Sequence, residues 1–220
     1  MNAATAVARR ASASRAGGEA IERYRDDGLL SRILGALGGA LPIPPIVLVG
    51  AGLAGLVALA ALEGDGASDG LVAAGIAWVV VLGGISSGRP HTDRFAWAVP
   101  GFLRVGEYGG LLWVAANAGD SSHAAAFALI AALAFHHYDL VYRPRFQGTA
   151  PPVWLNLAAG GWEGRLVLVW VLLALGALPA GMFVMAGVLG LAFAGECAAS
   201  WTRLSAGPLS VYEDEEDEGQ

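Results

Sequence analysis

Long apolar runs separated by short polar breaks occupy most of the chain. A helix needs about 20 apolar residues to cross the hydrocarbon core of a bilayer, and six runs approach this length. They cover residues 41–62, 71–85, 98–118, 124–142, 166–178 and 182–201. Where a run is shorter, we expect flanking polar residues to complete the span. The pattern predicts an all-α fold, a polytopic membrane bundle of about six transmembrane helices.

The composition supports a membrane protein. Of the 220 residues, 55% are hydrophobic and only 15% are charged, whereas soluble domains carry about 25% charged residues. The net charge of −6 gives no support to nucleic-acid binding. The single Cys197 excludes an intramolecular disulfide. The polar N-terminus argues against a cleavable secretion signal.

The two ends of the chain differ from its middle. Residues 1–35 are rich in Ala, Ser and Arg, and we expect a cytoplasmic N-terminal arm that is partly helical. Its section 18–32 is either an amphipathic helix on the membrane surface or, as its polarity favours, a solvated segment. Residues 36–203 form the transmembrane domain. The acidic run within 204–220 predicts a disordered cytoplasmic tail, because like charges repel.

Arginine is distributed unevenly over the polar breaks. It precedes the first span, follows the second, fourth and sixth spans, and is missing from the alternate breaks. Cytoplasmic loops carry an excess of Lys and Arg. The arrangement therefore predicts a multi-pass protein of the cell membrane with both termini in the cytoplasm.

The first span contains a G-x-G-x-x-G run after three apolar residues, at Gly50, Gly52 and Gly55. In a dinucleotide-binding fold such a loop holds a pyrophosphate, and a second strand ends in an acidic residue. Here the apolar run continues to Leu62, and the next one ends in Gly and Ser. A membrane helix with small residues at close spacing accounts for the same sequence pattern with fewer assumptions.

Polar side chains collect near the predicted cytoplasmic ends of the spans. His136, Asp139 and Arg143 share one face of a helix at three- and four-residue steps. The neighbouring His137 diverges from His136 by about 100°, so we expect it to point elsewhere. An alternative is that the two histidines only end the span at the headgroup level.

Charged residues also enter three other spans. Arg104, Glu107 and Tyr108 lie inside the third span, where the charged pair is either functional or a structural ion pair. Glu163 and Arg165 follow glycines at the start of the fifth span, where Glu163 is an alternative helix cap. Glu196 lies near the end of the sixth span and needs a partner.

Carboxylates, an imidazole and guanidiniums from four helices suit the handling of a phosphate or pyrophosphate headgroup with Mg²⁺ or Mn²⁺. We assign catalytic roles to His136, Asp139 and Glu107. We assign substrate binding to Arg104, Tyr108, Arg143, Glu163 and Arg165, and metal binding to Asp139, His136 and Glu196. A proton or ion pathway is disfavoured, because the outer half of the bundle offers no acidic residues to continue it.

Four segments carry a resemblance to a known family: YRDDGLLSR, FLRVGEY (Phe102 to Tyr108), HHYDLVYR (His136 to Arg143) and GWEGR (Gly161 to Arg165). From about Tyr24 to Trp201 the chain resembles an uncharacterised integral-membrane domain of high-GC bacteria. That domain often lies C-terminal to a CDP-alcohol phosphotransferase domain. The resemblance implies a phosphotransferase partner but no catalytic residues, and the chain itself lacks the phosphotransferase signature.

Three functions follow as hypotheses. The first is an accessory or partner domain in phospholipid or polyol-phosphate (CDP-alcohol-linked) synthesis, with a cytoplasm-facing site for a phosphorylated headgroup and membrane lipids as partners. The second is a membrane-embedded, metal-dependent enzyme acting on a phosphate ester. The third is a structural anchor whose polar residues pair internally.

Overall fold

The computed structural model describes residues 21–39, 41–63, 66–91 and 93–205. Most of the predicted arm (residues 1–20) and of the acidic tail (residues 206–220) lies outside these ranges. The helices are α1 (Leu29–Gly38), α2 (Pro45–Glu63), α3 (Asp69–Ser87), α4 (Val99–Asn117), α5 (Ser121–Gln147), α6 (Val153–Ala158), α7 (Gly161–Ala174) and α8 (Leu178–Ser205). The described part contains helices and no strand, so the predicted all-α fold is confirmed.

A helix lies at each of the six predicted spans. Five segments are long and apolar enough to cross a membrane by length and composition. They are α2, α3, α5, α8 and the combined α6–α7 segment Val153–Ala174. α4 is 19 residues long but carries Arg104 and Glu107, and it is not among the five. The molecule is a helical membrane bundle in which α4, with its buried Glu107, packs against α2, α5 and α7.

The glycine run of the first span lies within a continuous helix. Gly50, Gly52 and Gly55 are all part of α2. The indole Nε1 of Trp78 on α3 donates to the carbonyl oxygen of Ala51 at 3.0 Å. Small residues permit this close approach of α2 and α3. The membrane-helix interpretation is therefore confirmed, and the strand and loop of a dinucleotide-binding fold are absent from this segment.

The core is built from pairs of helices. α5 packs mainly against α8, and α3 packs against both α2 and α1. α4 contacts α2, α5 and α7. Trp162 on α7 is completely buried, and its ring lies against Gly83 of α3, where a Cβ atom would come within 2.5 Å of it. This contact brings the start of α7 to the middle of the bundle.

The segment before α1 does not behave as a solvated arm. Residues 21–25 are helical and are followed by a turn. Arg25 and Asp26 are buried. The preference for a solvated segment was wrong for these residues, because their charges find partners inside the bundle that lie far away in the sequence.

Candidate functional site

Asp26 lies at the centre of the buried polar residues. Its backbone φ angle is 55°, in the left-handed region that Asp tolerates better than most residues. The backbone N–H of Trp162 donates to its carbonyl oxygen at 3.2 Å. The turn thereby directs the Asp26 side chain toward α7, where Arg165 Nη2 donates to Asp26 Oδ2 at 2.7 Å.

Two arginines share the carboxylate of Glu107 on α4. Arg165 Nε donates to Glu107 Oε1 at 2.7 Å, and Arg104 Nη1 donates to Glu107 Oε2 at 2.6 Å. Arg104 also donates to the carbonyl oxygen of Arg25. Asp26, Glu107 and Arg165 are almost completely buried. Two carboxylates thus face two guanidiniums, and the set is balanced in charge.

Both histidines of α5 join these residues. His137 Nδ1 lies 2.6 Å from the Tyr108 hydroxyl, and His137 Nε2 lies 3.3 Å from Asp26 Oδ2. His136 Nε2 lies 3.5 Å from Asp26 Oδ1, and its ring stacks on Phe193 of α8 with centroids 4.0 Å apart. We call the set the central network; its members are Asp26, Arg104, Glu107, Tyr108, His136, His137 and Arg165.

The expectation that only one of the two histidines would face the site was wrong. Their rings do leave α5 in different directions, but the carboxylate of Asp26 lies between them and each ring reaches one of its oxygens. The prediction considered α5 alone. The converging partner comes from a turn about 110 residues earlier in the chain.

The charge of Asp26 is held by its surroundings. Burial raises the pKa of this carboxyl, but Arg165 and the neighbouring His136 and His137 lower it by a larger amount, so that the pKa lies well below its usual value. Asp26 is therefore ionised, and it is the counter-charge of Arg165 rather than a proton donor.

Glu163 caps a helix that is not its own. Its Oε1 accepts from the backbone N–H of Ser31 at 2.9 Å, and its Oε2 accepts from Gly28 at 3.2 Å. Both donors belong to the start of α1. Trp162 Nε1 donates to Asp27 Oδ1 at 2.9 Å. The alternative placed Glu163 as a cap of its own helix, whereas the structure shows it capping α1. Its assigned substrate-binding role stays a prediction.

A second group surrounds Arg25. This side chain donates to Asp27 Oδ2 at 2.6 Å and to the carbonyl oxygen of Gly83 at 3.0 Å. It also lies 3.3 Å from His91 Nε2. Burial lowers the pKa of His91, and the neighbouring Arg25 lowers it further against the opposing Asp27 and Asp93, to about 4. His91 is therefore neutral near pH 7.

The remaining predicted residues form a separate group near the ends of α5 and α8. Arg143 lies between Asp139 and Glu196 and contacts both carboxylates. Arg203 contacts the other oxygen of Glu196 at 3.1 Å. We call these four residues the terminal cluster. The structure therefore separates His136 from Asp139, although all of His136, Asp139 and Arg143 lie on one buried face of α5.

The terminal cluster does not have the geometry of a metal site. A guanidinium lies between the two carboxylates that would hold the ion, and His136 belongs to the central network. Among the described residues, no group of three or more His, Cys, Asp or Glu side chains is arranged to bind a metal. The roles of Asp139, His136 and Glu196 as metal ligands stay a prediction that this geometry does not favour.

Two cavities adjoin the terminal cluster. The first, which we call the end cavity, has a volume of about 530 Å³. Its polar lining consists of Arg143, Gln147, Thr149, Glu196, Ser200 and Arg203. The second, the aromatic groove, has a volume of about 410 Å³ and is bordered by Phe135, Tyr138, Tyr142, Phe146 and Trp201. Arg143 and Gln147 line both cavities.

Sequence reasoning missed two members of the central network, Asp26 and His137. A signal for Asp26 was present in the chain. An Asp-Asp-Gly turn directly before an apolar helix contains residues that tolerate a left-handed backbone. Its two carboxylates are more than a helix cap requires, because one is enough. For His137 the sequence offers no separate signal, because its partners Tyr108 and Asp26 lie on other elements.

No curated protein matches the chain, and no solved structure matches it. The model of one family, described as a family of unknown function (DUF5941), matches residues 15–218. The match includes the turn at Asp26, the central network and the terminal cluster. The chain belongs to this family of unknown function, DUF5941.

Proposed function

We propose that the protein binds the phosphorylated headgroup of a membrane lipid in the end cavity, as an accessory domain for an enzyme of phospholipid or polyol-phosphate synthesis. The supporting observation is the common wall of the end cavity and the aromatic groove. Arg143 and Gln147 line a polar space on one side and an aromatic one on the other. An amphiphile has the same division between headgroup and chain.

The end cavity offers donors suited to an anion. Ser200 Oγ donates to Gln147 Oε1 at 2.6 Å, which orients the amide, and Gln147 Nε2 is buried without a hydrogen-bond partner among the described residues. Arg203 keeps 70% of its side chain exposed. A phosphate oxygen accepts well from both kinds of donor, since charge-assisted hydrogen bonds are the stronger ones.

The same geometry favours binding over catalysis. A general base needs a carboxylate or imidazole that is free to take a proton at the reacting atom. Asp139 and Glu196 are instead paired with Arg143, and Glu107 is paired with Arg104 and Arg165. The central network then has a structural role, because it fixes Arg25 and Asp26 to α4, α5 and α7.

The orientation and the partner belong to the proposal. The excess of arginine at this end of the bundle supports a cytoplasmic location of the end cavity in the cell membrane. The resemblance to a domain that accompanies CDP-alcohol phosphotransferases supports a partner enzyme of that class. The accessory domain would hold a lipid phosphate beside the active site of that enzyme.

The test measures the affinity of the purified full chain for short-chain phosphatidic acid and for phosphatidylcholine with the same acyl chains. We expect tighter binding of phosphatidic acid. Arg203→Gln should weaken it about tenfold, since an ionised hydrogen bond contributes about 1.5 kcal/mol. Gln147→Leu should also weaken it, without any change of charge.

Arg145→Gln is the matched control. Arg145 lies on α5 beside the cluster, is exposed and does not line the end cavity, so its loss removes the same charge from the same end. We expect at most about a fivefold effect from general attraction to an anionic lipid. Equal effects of the Arg203 and Arg145 variants, together with no effect of Gln147→Leu, would overturn the proposal.

A further inference from the structure

A third cavity opens between α7 and α8, on the outer surface of the bundle. We call it the lateral groove; its volume is about 320 Å³. Gly164, Leu168, Val184 and Val188 line it, and Arg165 lies among the lining residues. Leu168, Val184 and Val188 are between 46% and 64% exposed. Because both helices belong to membrane-spanning segments, this exposed apolar surface faces acyl chains.

The groove results from a change in spacing between the two helices. Near the turn that joins them, a Cβ atom on Gly181 of α8 would lie 2.6 Å from Leu172 of α7, so the helices are in close contact there. At Gly164, eight residues earlier and about 12 Å along α7, a Cβ atom would meet nothing within 4 Å. The helices therefore diverge toward Arg165.

Arg165 has a hydrogen-bond donor to spare. Its Nε and Nη2 bind Glu107 and Asp26, whereas Nη1 is buried without a partner among the described residues. Leaving a buried donor unpaired is costly. The two carboxylates and two guanidiniums of the central network already balance in charge, so the missing acceptor is a neutral oxygen rather than a further anion.

We propose that the lateral groove binds one acyl chain of a membrane glycerolipid, with the ester carbonyl oxygen of that chain accepting from Arg165 Nη1. An ester carbonyl is a neutral acceptor that lies at the junction between headgroup and chain. The hydrocarbon fills the space between Leu168 and Val188. This site is separate from the end cavity and does not depend on a phosphate.

The test separates the ester from the headgroup. Purified full-length protein is delipidated and offered an equal mixture of diester and diether phosphatidylcholine with equal chain lengths, and retained lipid is counted by native mass spectrometry. We expect a three- to tenfold preference for the diester lipid, the effect of about one net hydrogen bond. Equal retention of the two lipids would overturn the proposal. Since the headgroups are identical, neither result bears on the end cavity.

The matched variants are Gly164→Leu and Gly187→Leu. Both positions are helical glycines with nothing within 4 Å of an added Cβ atom, but only Gly164 is among the residues that line the groove. Gly164→Leu should occupy the groove and abolish the ester preference, while Gly187→Leu should keep it. Loss of the preference in both variants, or in neither, would contradict the site.

Discussion

At the scale of single residues, two buried arginines each join two carboxylates. Arg165 reaches Glu107 and Asp26 through different nitrogens, and Arg143 reaches Asp139 and Glu196 in the same manner. The planar guanidinium presents five donors in a fixed fork, whereas a lysine ammonium acts as a point charge. A lysine at either position could not hold two carboxylates from different elements in a defined geometry.

The cap that Glu163 provides for α1 leads to the first prediction. Glu163→Ala leaves two buried backbone donors, on Gly28 and Ser31, without an acceptor. We expect the free energy of unfolding in detergent to fall by about 2–6 kcal/mol, at about 1–3 kcal/mol for each of the two unsatisfied donors. Glu163→Gln keeps one acceptor oxygen and should therefore lose less stability than Glu163→Ala. Exposed Glu22→Gln should change stability by less than about 0.5 kcal/mol; equal losses in all three variants would refute the cap.

The neutral state of His91 gives the second prediction, a pH dependence. The folded protein takes up a proton at His91 only near pH 4, whereas the unfolded chain does so near pH 6.5. In this window the unfolded state binds more protons, so stability is present above pH 6.5 and is lost as the pH falls toward 4. The contribution of Asp26 to stability is lost only at still lower pH, below the ordinary Asp pKa of 3.8.

Thermal unfolding between pH 4 and pH 7 measures this effect. His91→Gln should flatten the curve above pH 4, because glutamine does not titrate. His123→Gln, at the start of α5 and away from the segment between α3 and α4 that carries His91, is the control and should keep the original slope. A parallel fall of stability in the wild type and in His91→Gln would show that another group is responsible.

At the scale of elements, the starts of α1 and α7 are in direct contact. A Cβ atom on Gly28 would lie 2.3 Å from the carbonyl oxygen of Gly160, and one on Gly161 would lie 2.2 Å from the backbone nitrogen of Gly28. Gly161 also has a φ angle of 63°. The close approach brings Glu163 to α1 and Asp26 to Arg165, so the site depends on glycine at these positions.

The third prediction tests this contact. Gly161→Ala combines a left-handed backbone, about 1–2 kcal/mol, with a steric clash of about 1–3 kcal/mol. Gly148 has a similar φ angle of 67°, but an added Cβ atom there would meet nothing within 4 Å. Gly148→Ala should therefore lose only the stability due to the left-handed backbone. Trypsin cleavage at Arg23 and Arg25 should accelerate in Gly161→Ala alone. Equal stability and cleavage of the two variants would argue against a tight contact.

The same elements show how far the sequence could predict the structure. The spans depend on local hydropathy, so all six helices lie where the apolar runs predict them. The ends differ by a few residues, since caps such as Gly160 and Gly148 depend on backbone geometry. The burial of Asp26 depends on Arg165, 139 residues away. A polar segment whose partners are that distant has the appearance of a solvated arm when it is considered alone.

At the scale of the whole molecule, the bundle is divided into a charged half and an apolar half. The buried charges lie toward the ends of α5 and α8 and the start of α7. The opposite half of α4 and α5 buries residues such as Leu111, Val114 and Leu129. The apolar half needs no specific partners, whereas the charged half holds elements from the full length of the chain in one arrangement. The buried charges therefore determine how the helices are positioned around the end cavity and the lateral groove.

The final prediction concerns this coupling. Arg165→Gln leaves Asp26 and Glu107 with too little positive charge in a buried site, and breaking a buried pair in this way costs about 3–5 kcal/mol. Adding Glu107→Gln to Arg165→Gln restores the balance between the remaining Asp26 and Arg104. The double variant should therefore be more stable than Arg165→Gln, by at least about 1 kcal/mol, although each substitution alone is destabilising.

The combination of Arg203→Gln with Glu107→Gln provides the comparison. The exposed Arg203 pairs with Glu196 and not with Glu107, so the two losses of stability should add. Unfolding in detergent measures all five variants. If the losses of stability from Arg165→Gln and Glu107→Gln also add, the two charges are solvated independently, and the central network cannot be what holds Asp26 in the bundle.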